Sequence, residues 1–265
     1  MADTEETLVE YAVRDRIATI TLNRPARLNA FNDELARQAL AVMHRFDIDP
    51  EADVAIIHGN GRAFSSGADV QQRQLRSREE FDKHGGPQAR GANAGDLLID
   101  AVNWKPVIAA VHGYVLGLAL GLALECDLIV AEEGTKFQVT EAPRGLSAAK
   151  YWALLHFRGG GSFATQVSLT GRFFTAEEAL AVNIVDQVVP RGEHVEAARV
   201  LAATIAKNPP LGVRSTVRLR RYQLRQVQQE ANLHVNLAKL HLSEDFHEAA
   251  RAFVEKRPAG PFKGR

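Results

Sequence analysis

The sequence predicts an α/β fold with parallel strands, because apolar β-rich runs and helical segments alternate along it. Residues 54–58 and 107–111 are short apolar runs bounded by turn residues, as buried strands are. After Pro190 the pattern is helical to the end of the chain. The composition, with 46% hydrophobic and 24% charged residues in 265, is that of a folded globular protein and not of a disordered one.

The elements can be placed in order along the chain. Residues 7–13 and 17–22 are β-rich and separated by three charged residues, which predicts a hairpin. Asn32 is predicted to cap a helix that runs to about residue 46. Further helices are predicted at 97–102, within 113–126 after a turn, and at 148–157, 163–169, 176–181, 195–207, 212–240 with breaks, and 244–255. Further strands are predicted at 127–131, around Phe137, and at 184–189.

Two segments differ in composition from their surroundings. Residues 73–95 are polar and rich in glycine, which favours a lid or a substrate-shaping segment. A change to wholly helical composition near residue 200 predicts a catalytic core over 1–200 and a helical oligomerisation region over 201–265.

Charge and cysteine content exclude several classes of function. Lys plus Arg and Asp plus Glu are 32 each, and this balance gives no support for a nucleic-acid binder. A single Cys excludes an internal disulfide and a thiolate metal cluster, and it fits a reducing compartment. The acidic start has no secretory pattern, so we expect a cytoplasmic protein. The nine His residues show no His-Glu-x-x-His spacing and the chain has no phosphate-binding GxxxxGK run, and we expect no metal and no resident cofactor.

A membrane span competes with the strand-and-helix interpretation of residues 107–124. This run is almost free of charge, and Gly113, Gly117 and Gly121 follow the spacing of packed membrane helices. His112 and Tyr114 interrupt the apolar run, and its β-rich beginning indicates a strand. We therefore expect a buried strand and a buried helix, and no membrane.

Two glycine-rich turns follow the two buried strands, over residues 63–70 and 112–118. Small residues let a ligand approach the backbone, and free N–H groups at a helix start suit negative charge. Two such turns on neighbouring strands can aim one N–H each at a single oxygen, which is what stabilising an enolate or a tetrahedral oxyanion requires. Either turn alone is better interpreted as an ordinary tight turn.

Several motifs follow one another over nearly the whole chain: Asn23-Arg24-Pro25 with Asn29-Ala30-Phe31, Phe64-Ser65-Ser66-Gly67-Ala68-Asp69, residues 105–114, Cys126-Asp127, Leu169-Thr170-Gly171-Arg172 and residues 253–257. With these motifs in this order, the sequence resembles the crotonase family, also called the enoyl-CoA hydratase/isomerase family. The resemblance implies a crotonase-like spiral of ββα units with a C-terminal helical region that mediates trimerisation. It also implies a homotrimer or a dimer of trimers that binds acyl-CoA and stabilises a thioester enolate.

The resemblance also assigns binding residues by position. It implies that the N–H groups of Ala68 and Leu118 form the oxyanion hole. It implies that CoA, as part of the substrate, passes near Arg24, Arg27, Ser66, Ala68 and Asp69 and that Lys256 and Lys263 reach a CoA phosphate. For the two lysines, a solvated basic tail is an equal alternative.

The family's hydratases use two glutamates, and this sequence keeps one of the two positions. The resemblance places the retained acid/base at Glu141, whereas Gly121 stands where the other glutamate is expected. Glu125 lies one helical turn beyond Gly121 and either reaches back to the site or has a structural role. Gly121 opens space, which is consistent with a bulkier or cyclic acyl group. The predicted acyl pocket contains Gly121, His112, Tyr151 and Trp152, with core packing as the alternative for His112 and Trp152.

A single carboxylate leaves the reaction open between hydration and double-bond isomerisation. A base that takes a proton from one carbon can return it to another, and it can also activate water if a second group relays the proton. The alternatives are a hydrolase of a CoA ester or a β-diketone on the same scaffold and a catalytically weak scaffold that binds acyl-CoA.

Overall fold

The computed structural model describes residues 6–77, 79, 80, 83, 98 and 101–265, without the side chains of 234–238. Its strands are β1 Val9–Arg14, β2 Ile17–Leu22, β3 Val54–Gly59, β4 Val107–Val111, β5 Tyr114–Leu116, β6 Leu128–Glu132, β7 Lys136–Gln138, β8 Phe173–Thr175 and β9 Gln187–Val189. Its helices are α1 Asp33–Ile48, α2 Val70–Arg73, α3 Leu118–Glu125, α4 Ala149–Arg158, α5 Gly161–Thr170, α6 Ala176–Ala181, α7 His194–Ala206, α8 Pro210–Ala238 and α9 Glu244–Glu255. Single turns of 3₁₀ helix lie at Pro25–Arg27, Ala142–Arg144 and Leu240–Leu242.

The main sheet has the strand order β1-β2-β3-β4-β6-β9 in the described residues. The β1–β2 pair is antiparallel, which confirms the predicted hairpin, and the other neighbours run parallel. The predicted α/β class is therefore confirmed. Parallel neighbours need a crossover between them, and α1 supplies one of these between β2 and β3.

Both faces of the central strands are buried, which explains their continuous apolar runs. In β3, Ala55 and Ile57 point into the large core that α1 covers, whereas Val54 and Ile56 point into a smaller core. Ala198 and Ala202 of α7 close that smaller core. The segments that follow β3 and β4 thus start from strands that are buried on both faces.

A second, small sheet of β5, β7 and β8 carries the candidate site. β5 runs parallel to β7, and β8 is antiparallel to β7. We expected a turn and then a helix over 113–126, but residues 114–116 form a strand before the helix begins at Leu118. Strands of three residues carry little sequence pattern, and here they depend on pairing with distant segments.

Other expectations have mixed outcomes. The strand predicted at 184–189 begins only at Gln187, and the long helix α8 runs without the predicted breaks. The predicted segment at 73–95 and the predicted helix at 97–102 lie largely outside the described residues. No helix among the described residues is long and apolar enough to cross a membrane, and α3 has only 8 residues.

Candidate active site

The two glycine-rich turns are hydrogen-bonded to each other. The amide of Ser65 donates to the carbonyl of Tyr114 at 3.1 Å, and the amide of Leu116 donates to the carbonyl of Ser65 at 3.2 Å. Gly67 has a φ of +88°, and a Cβ there would lie 2.5 Å from the Leu116 carbonyl oxygen. Only glycine fits between the turns at this position, because a side chain would strain the backbone and collide with it.

The amides of Ala68 and Leu118 have no hydrogen-bond partner among the described residues. The residues on either side of Ala68 both bond to Phe31. The Phe31 amide donates to the Gly67 carbonyl and the Asp69 amide donates to the Phe31 carbonyl, so the Ala68 N–H is not used in this pairing. Leu118 is the first residue of α3, where a backbone N–H has no intrahelical acceptor. A Cβ at Gly67 would lie 3.5 Å from the Leu118 nitrogen, so the two amides belong to adjoining turns.

Glu141 reaches the second turn through the pairing of β5 with β7. Leu116 lies opposite Gln138, and the amide of Gly117 donates to the Gln138 carbonyl at 3.0 Å. The chain beyond β7 therefore passes beside Gly117. A Cβ at Gly117 would collide with the Thr140 hydroxyl and would lie 3.5 Å from Oε1 of Glu141. The Glu141 carboxylate is thus close in space to Gly117, the residue that precedes the Leu118 amide in the chain.

The surroundings of Glu141 favour a carboxyl group that titrates near neutrality. Burial raises the pKa of Glu141 to about 7, while side-chain hydrogen bonds from Tyr151 and Thr140 act in the opposite direction. The Thr140 hydroxyl lies 3.4 Å from Oε2 of Glu141. A carboxyl group with such a pKa can both accept and return a proton at neutral pH.

The prediction of open space at Gly121 is wrong. A Cβ at Gly121 would lie 3.3 Å from Cε1 of Tyr151 and 3.8 Å from its hydroxyl oxygen. The aromatic ring, which comes from α4, fills the volume above α3 that an absent side chain was expected to leave free. The structure therefore brings Gly117, Gly121, Glu141 and Tyr151 into one cluster.

Glu125 lies in a buried structural network. Gln228 donates to its Oε1 at 2.6 Å, the amide of Leu98 donates to its Oε2 at 3.3 Å, and Lys150 forms an ion pair with it at 3.2 Å. A buried carboxylate held by α8 and α4 is costly to release. These partners favour the structural interpretation of Glu125 over reaching back to the site.

His112 and Trp152 have other neighbours. His112 stacks on His194 with ring centroids 4.6 Å apart, and its Nε2 lies 3.0 Å from the Gly61 carbonyl oxygen. Trp152 is 41% exposed, and its indole N–H donates to the Thr165 hydroxyl at 2.9 Å. The hydrogen bonds and ring contacts of the two side chains in the described residues are made to partners other than Glu141, so the core interpretation fits His112 and a surface position fits Trp152.

The residues predicted near CoA fall into two groups. In the first group, Arg24 forms an ion pair with Asp69 at 2.8 Å, and the amide of Ser66 donates to the Leu28 carbonyl at 2.9 Å. Arg27, the last residue of the 3₁₀ turn Pro25–Arg27, is exposed. Arg24, through Asp69, and Ser66 thus adjoin the first turn and its unbonded amide at Ala68.

The second group lies at the C-terminus. Lys256 ends α9 and is exposed, and Lys263 forms a surface ion pair with Glu244 at 2.7 Å. Helix α9 packs on the 3₁₀ turn after Glu141, where the Arg144 guanidinium lies 3.7 Å from the centroid of the Phe253 ring. The C-terminal segment of this chain is thus anchored beside the segment that carries Glu141.

The chain matches the family model described as enoyl-CoA hydratase/isomerase over residues 13–265. The protein belongs to the enoyl-CoA hydratase/isomerase family. It is 34% identical over 260 residues to 2,3-dehydroadipyl-CoA hydratase of Escherichia coli (strain K12), covering 95% of this chain and 97% of that protein. It is 35% identical over 258 residues to carnitinyl-CoA dehydratase of Salmonella typhi, covering 94% and 95% of the two chains.

Solved structures of the family share the fold. The crystal structure of carnitinyl-CoA hydratase from Mycobacterium avium superposes with a TM-score of 0.81 at 29% identity, covering 98% of this chain and all 100% of that one. This likeness confirms the crotonase fold with its C-terminal helical region. The protein is therefore a hydratase/isomerase-type enzyme of the crotonase superfamily that acts on acyl-CoA.

Two contributors to the site were missed in the sequence. The Thr140 hydroxyl lies beside the Glu141 carboxyl group, and it leaves room only for glycine at residue 117. The Arg144 guanidinium donates to the side-chain oxygen of Gln74, at the end of α2, at 3.4 Å. A polar Thr-Glu pair directly after a short strand was the available signal for Thr140. Across the described residues, no three His, Cys, Asp or Glu side chains come together as metal ligands would.

Proposed function

We propose that the enzyme hydrates the double bond of an enoyl-CoA with Glu141 as its single acid/base group. What supports the proposal above all is one juxtaposition. Two amides without partners among the described residues lie on adjoining turns, and beside them is a carboxyl group whose pKa burial raises to about 7.

In the proposed reaction, the thioester oxygen accepts hydrogen bonds from the amides of Ala68 and Leu118. Glu141 takes a proton from water, and the hydroxide adds to the β carbon. Negative charge moves to the thioester oxygen, where the two N–H groups stabilise the enolate. Glu141 then returns its proton to the α carbon, so one molecule of water has been added and the enzyme is unchanged.

Isomerisation is the second candidate, because a single carboxyl group is sufficient for it. Glu141 would take a proton from one carbon of the enolate system and return it to another, with no water consumed. A panel of enoyl-CoA thioesters in ¹⁸O-labelled water separates the two reactions by mass. Hydration adds one labelled oxygen to the acyl group, isomerisation adds none, and hydrolysis releases free CoA. The panel includes straight-chain enoyl-CoA esters and the acyl groups named for the relatives.

Replacing Glu141 tests the assignment of the acid/base group. Glu141→Gln keeps the shape of the side chain but cannot carry the proton, so we expect turnover to fall about 10²–10⁴-fold. Acyl-CoA binding, measured by calorimetry, is expected to stay within a few fold of the wild type.

The matched control is Glu133→Gln, which makes the same chemical change at an exposed position. This control is expected to keep full turnover. Unchanged turnover in Glu141→Gln contradicts the assignment, and a variant that loses binding together with turnover points to a structural role for Glu141.

We also propose that the enzyme assembles as a homotrimer or a dimer of trimers through its C-terminal helices. Leu211 and Leu219 of α8 are 72% and 61% exposed, an apolar surface that association would cover. Light scattering is expected to give three or six times the chain mass of 29.0 kDa. A monomer mass would contradict this.

A further inference from the structure

Tyr151 contacts the proposed acid/base group directly. Both side chains border the first turn of α3, where the amide of Gly121 donates to the Gly117 carbonyl at 3.0 Å: a Cβ at Gly121 would lie 3.8 Å from the Tyr151 hydroxyl oxygen, and a Cβ at Gly117 would lie 3.5 Å from Oε1 of Glu141. The Tyr151 side chain is a hydrogen-bond partner of the Glu141 carboxyl group, and this bond favours the ionised carboxylate. A phenol O–H is the donor in a bond to a carboxylate. Tyr151 lies in helix α4 and is only 9% exposed, so its ring is packed in the core.

Gly121 provides the space for this ring. A Cβ at Gly121 would approach Cε1 of Tyr151 to 3.3 Å, which is tighter than an ordinary contact and leaves no room for a longer side chain. Gly121 lies inside α3, where glycine is intrinsically less favourable than alanine. Its φ is not in the left-handed region, so close packing of the ring is the feature that accounts for glycine here.

We propose that Tyr151 is a positioning residue that holds the Glu141 carboxylate beside the Leu118 amide, and that Gly121 is required to seat its ring. The inference rests on the proposed function, because it takes Glu141 as the acid/base group. The hydroxyl donates one hydrogen bond and exchanges no proton with the substrate. It keeps the carboxylate in one orientation and stabilises its ionised form, which is the form that accepts a proton from water.

The test that does not depend on activity is the titration of Glu141 by ¹³C NMR of glutamate-labelled enzyme. The variant Glu141→Gln identifies the signal by removing it. In Tyr151→Phe the ring stays and only the donor is lost, so the pKa of Glu141 is expected to rise by about one unit, because a hydrogen bond to the charged form stabilises it. An unchanged titration in Tyr151→Phe overturns the proposal, whatever the enzyme's substrate is.

Tyr11→Phe is the matched control for this titration. The Tyr11 hydroxyl also donates to a carboxylate, Asp49, at 2.8 Å, but it does so between β1 and α1. We expect Tyr11→Phe to leave the titration of Glu141 unchanged. If both tyrosine variants shift it equally, the effect is general and the positioning role is wrong.

Kinetics separate positioning from simple packing. In Tyr151→Phe we expect kcat to fall about 10-fold with KM within two-fold, and the acid limb of the pH–rate profile to move to higher pH with the pKa of Glu141. Gly121→Ala displaces the Tyr151 ring, so this single variant is expected to move the acid limb to higher pH as well. The double variant Gly121→Ala/Tyr151→Phe is expected to have the same acid limb as Tyr151→Phe alone. A loss of kcat with an unmoved acid limb overturns the inference.

Absence of turnover in the wild type on every thioester contradicts the proposed function alone, because the NMR titration still tests the Tyr151–Glu141 bond.

Discussion

At the scale of single residues, two glycines determine where the turns and the carboxylate lie. Gly67 and Gly117 have φ values of +88° and +49°, and a side chain on either would collide with the opposite segment. Both the left-handed conformation and the close approach exclude other residues. The position of the Leu118 amide relative to Glu141 therefore depends on the absence of one Cβ at residue 117.

Gly117→Ala tests this dependence, with Gly161→Ala as its control. The φ values are +49° and +48°, but a Cβ at Gly117 would collide with the Thr140 hydroxyl, whereas nothing lies within 4 Å of a Cβ at Gly161. Both positions have a positive φ, which disfavours alanine, so both variants bear backbone strain. Only Gly117→Ala is expected to lower kcat/KM by 10²-fold or more, as the loss of about one oxyanion donor does.

Activity assays together with thermal unfolding of the two variants check this expectation. Similar melting temperatures with unequal activities would support it. If Gly117→Ala retained wild-type kcat/KM, the second turn would not bind the thioester oxygen.

At the scale of elements, the long helix α8 joins the C-terminal region to the core. Its buried residues recur at helical spacing along one face: Val217, Arg221, Leu224, Gln228 and Ala231. Arg221 donates to the Glu125 carbonyl and to the Asp127 carboxylate, each at 2.6 Å. These bonds fasten α8 to the end of α3, so the helix that begins with the Leu118 amide is held at both ends.

Arg221→Met is expected to destabilise the fold. Methionine keeps much of the packing volume but leaves Asp127 and the end of α3 with fewer donors, and breaking a buried charge pair costs about 3–5 kcal/mol. Arg220 also bonds Asp127 at 3.1 Å, so we expect a loss at the lower end of this range.

Chemical denaturation measures the free energy of unfolding, and Arg218→Met is the control, since Arg218 is exposed on the same helix. The control is expected to change stability by less than about 0.5 kcal/mol. Equal stability of Arg221→Met and the wild type would show that α8 is held by its apolar contacts alone.

At the scale of the whole molecule, a histidine cluster lies where the sheet meets α7. His58 of β3 bonds Thr21 at 3.0 Å, and His112 stacks on His194 at the start of α7, with Glu132 3.2 Å from His194. Burial, with the charges of His112 and His58, lowers the pKa of His194 to about 4, and burial likewise lowers the pKa of His58. The packing of α7 on the sheet thus depends on neutral imidazoles.

The contribution of His194 to folding stability should therefore fall in mild acid. The pKa of His194 is lower in the folded chain than its ordinary value of 6.5, so its contribution is full above pH 6.5 and is lost progressively down to about pH 4. A shift of this size corresponds to about 3 kcal/mol. Glu141 acts in the opposite sense, because its pKa is raised to about 7, so its contribution is full below pH 4.5 and is lost as the pH rises to 7.

Unfolding measured at pH 6.5 and pH 4.5 in wild type and His194→Phe isolates the histidine. Phenylalanine keeps a flat ring for the stack with His112 but has no proton to bind. Between pH 6.5 and pH 4.5, the free energy of unfolding is expected to change in favour of His194→Phe over the wild type by about 2 kcal/mol. The same change in both proteins would show that His194 is not the acid-sensitive group.

The chain by itself determined the elements whose pattern is local. The hairpin, the buried strands 54–58 and 107–111, the capped helix after Asn32 and the C-terminal helices follow from spacing and capping residues, and they agree with the structure. The motif order was also sufficient to identify the family. These features could be predicted because hydrophobic periodicity and turn chemistry act within one segment of the chain.

Only the tertiary structure decided what fills the space at Gly121 and which side chains surround Glu141 and Glu125. The short strands β5 and β8 exist through pairing with distant segments, and that pairing places Thr140 and Glu141 beside Gly117. Tyr151 follows Gly121 by 30 positions, and Glu125 is held by a glutamine 103 residues away. Contacts between residues so far apart depend on how the layers pack, and no local pattern in the chain encodes that packing.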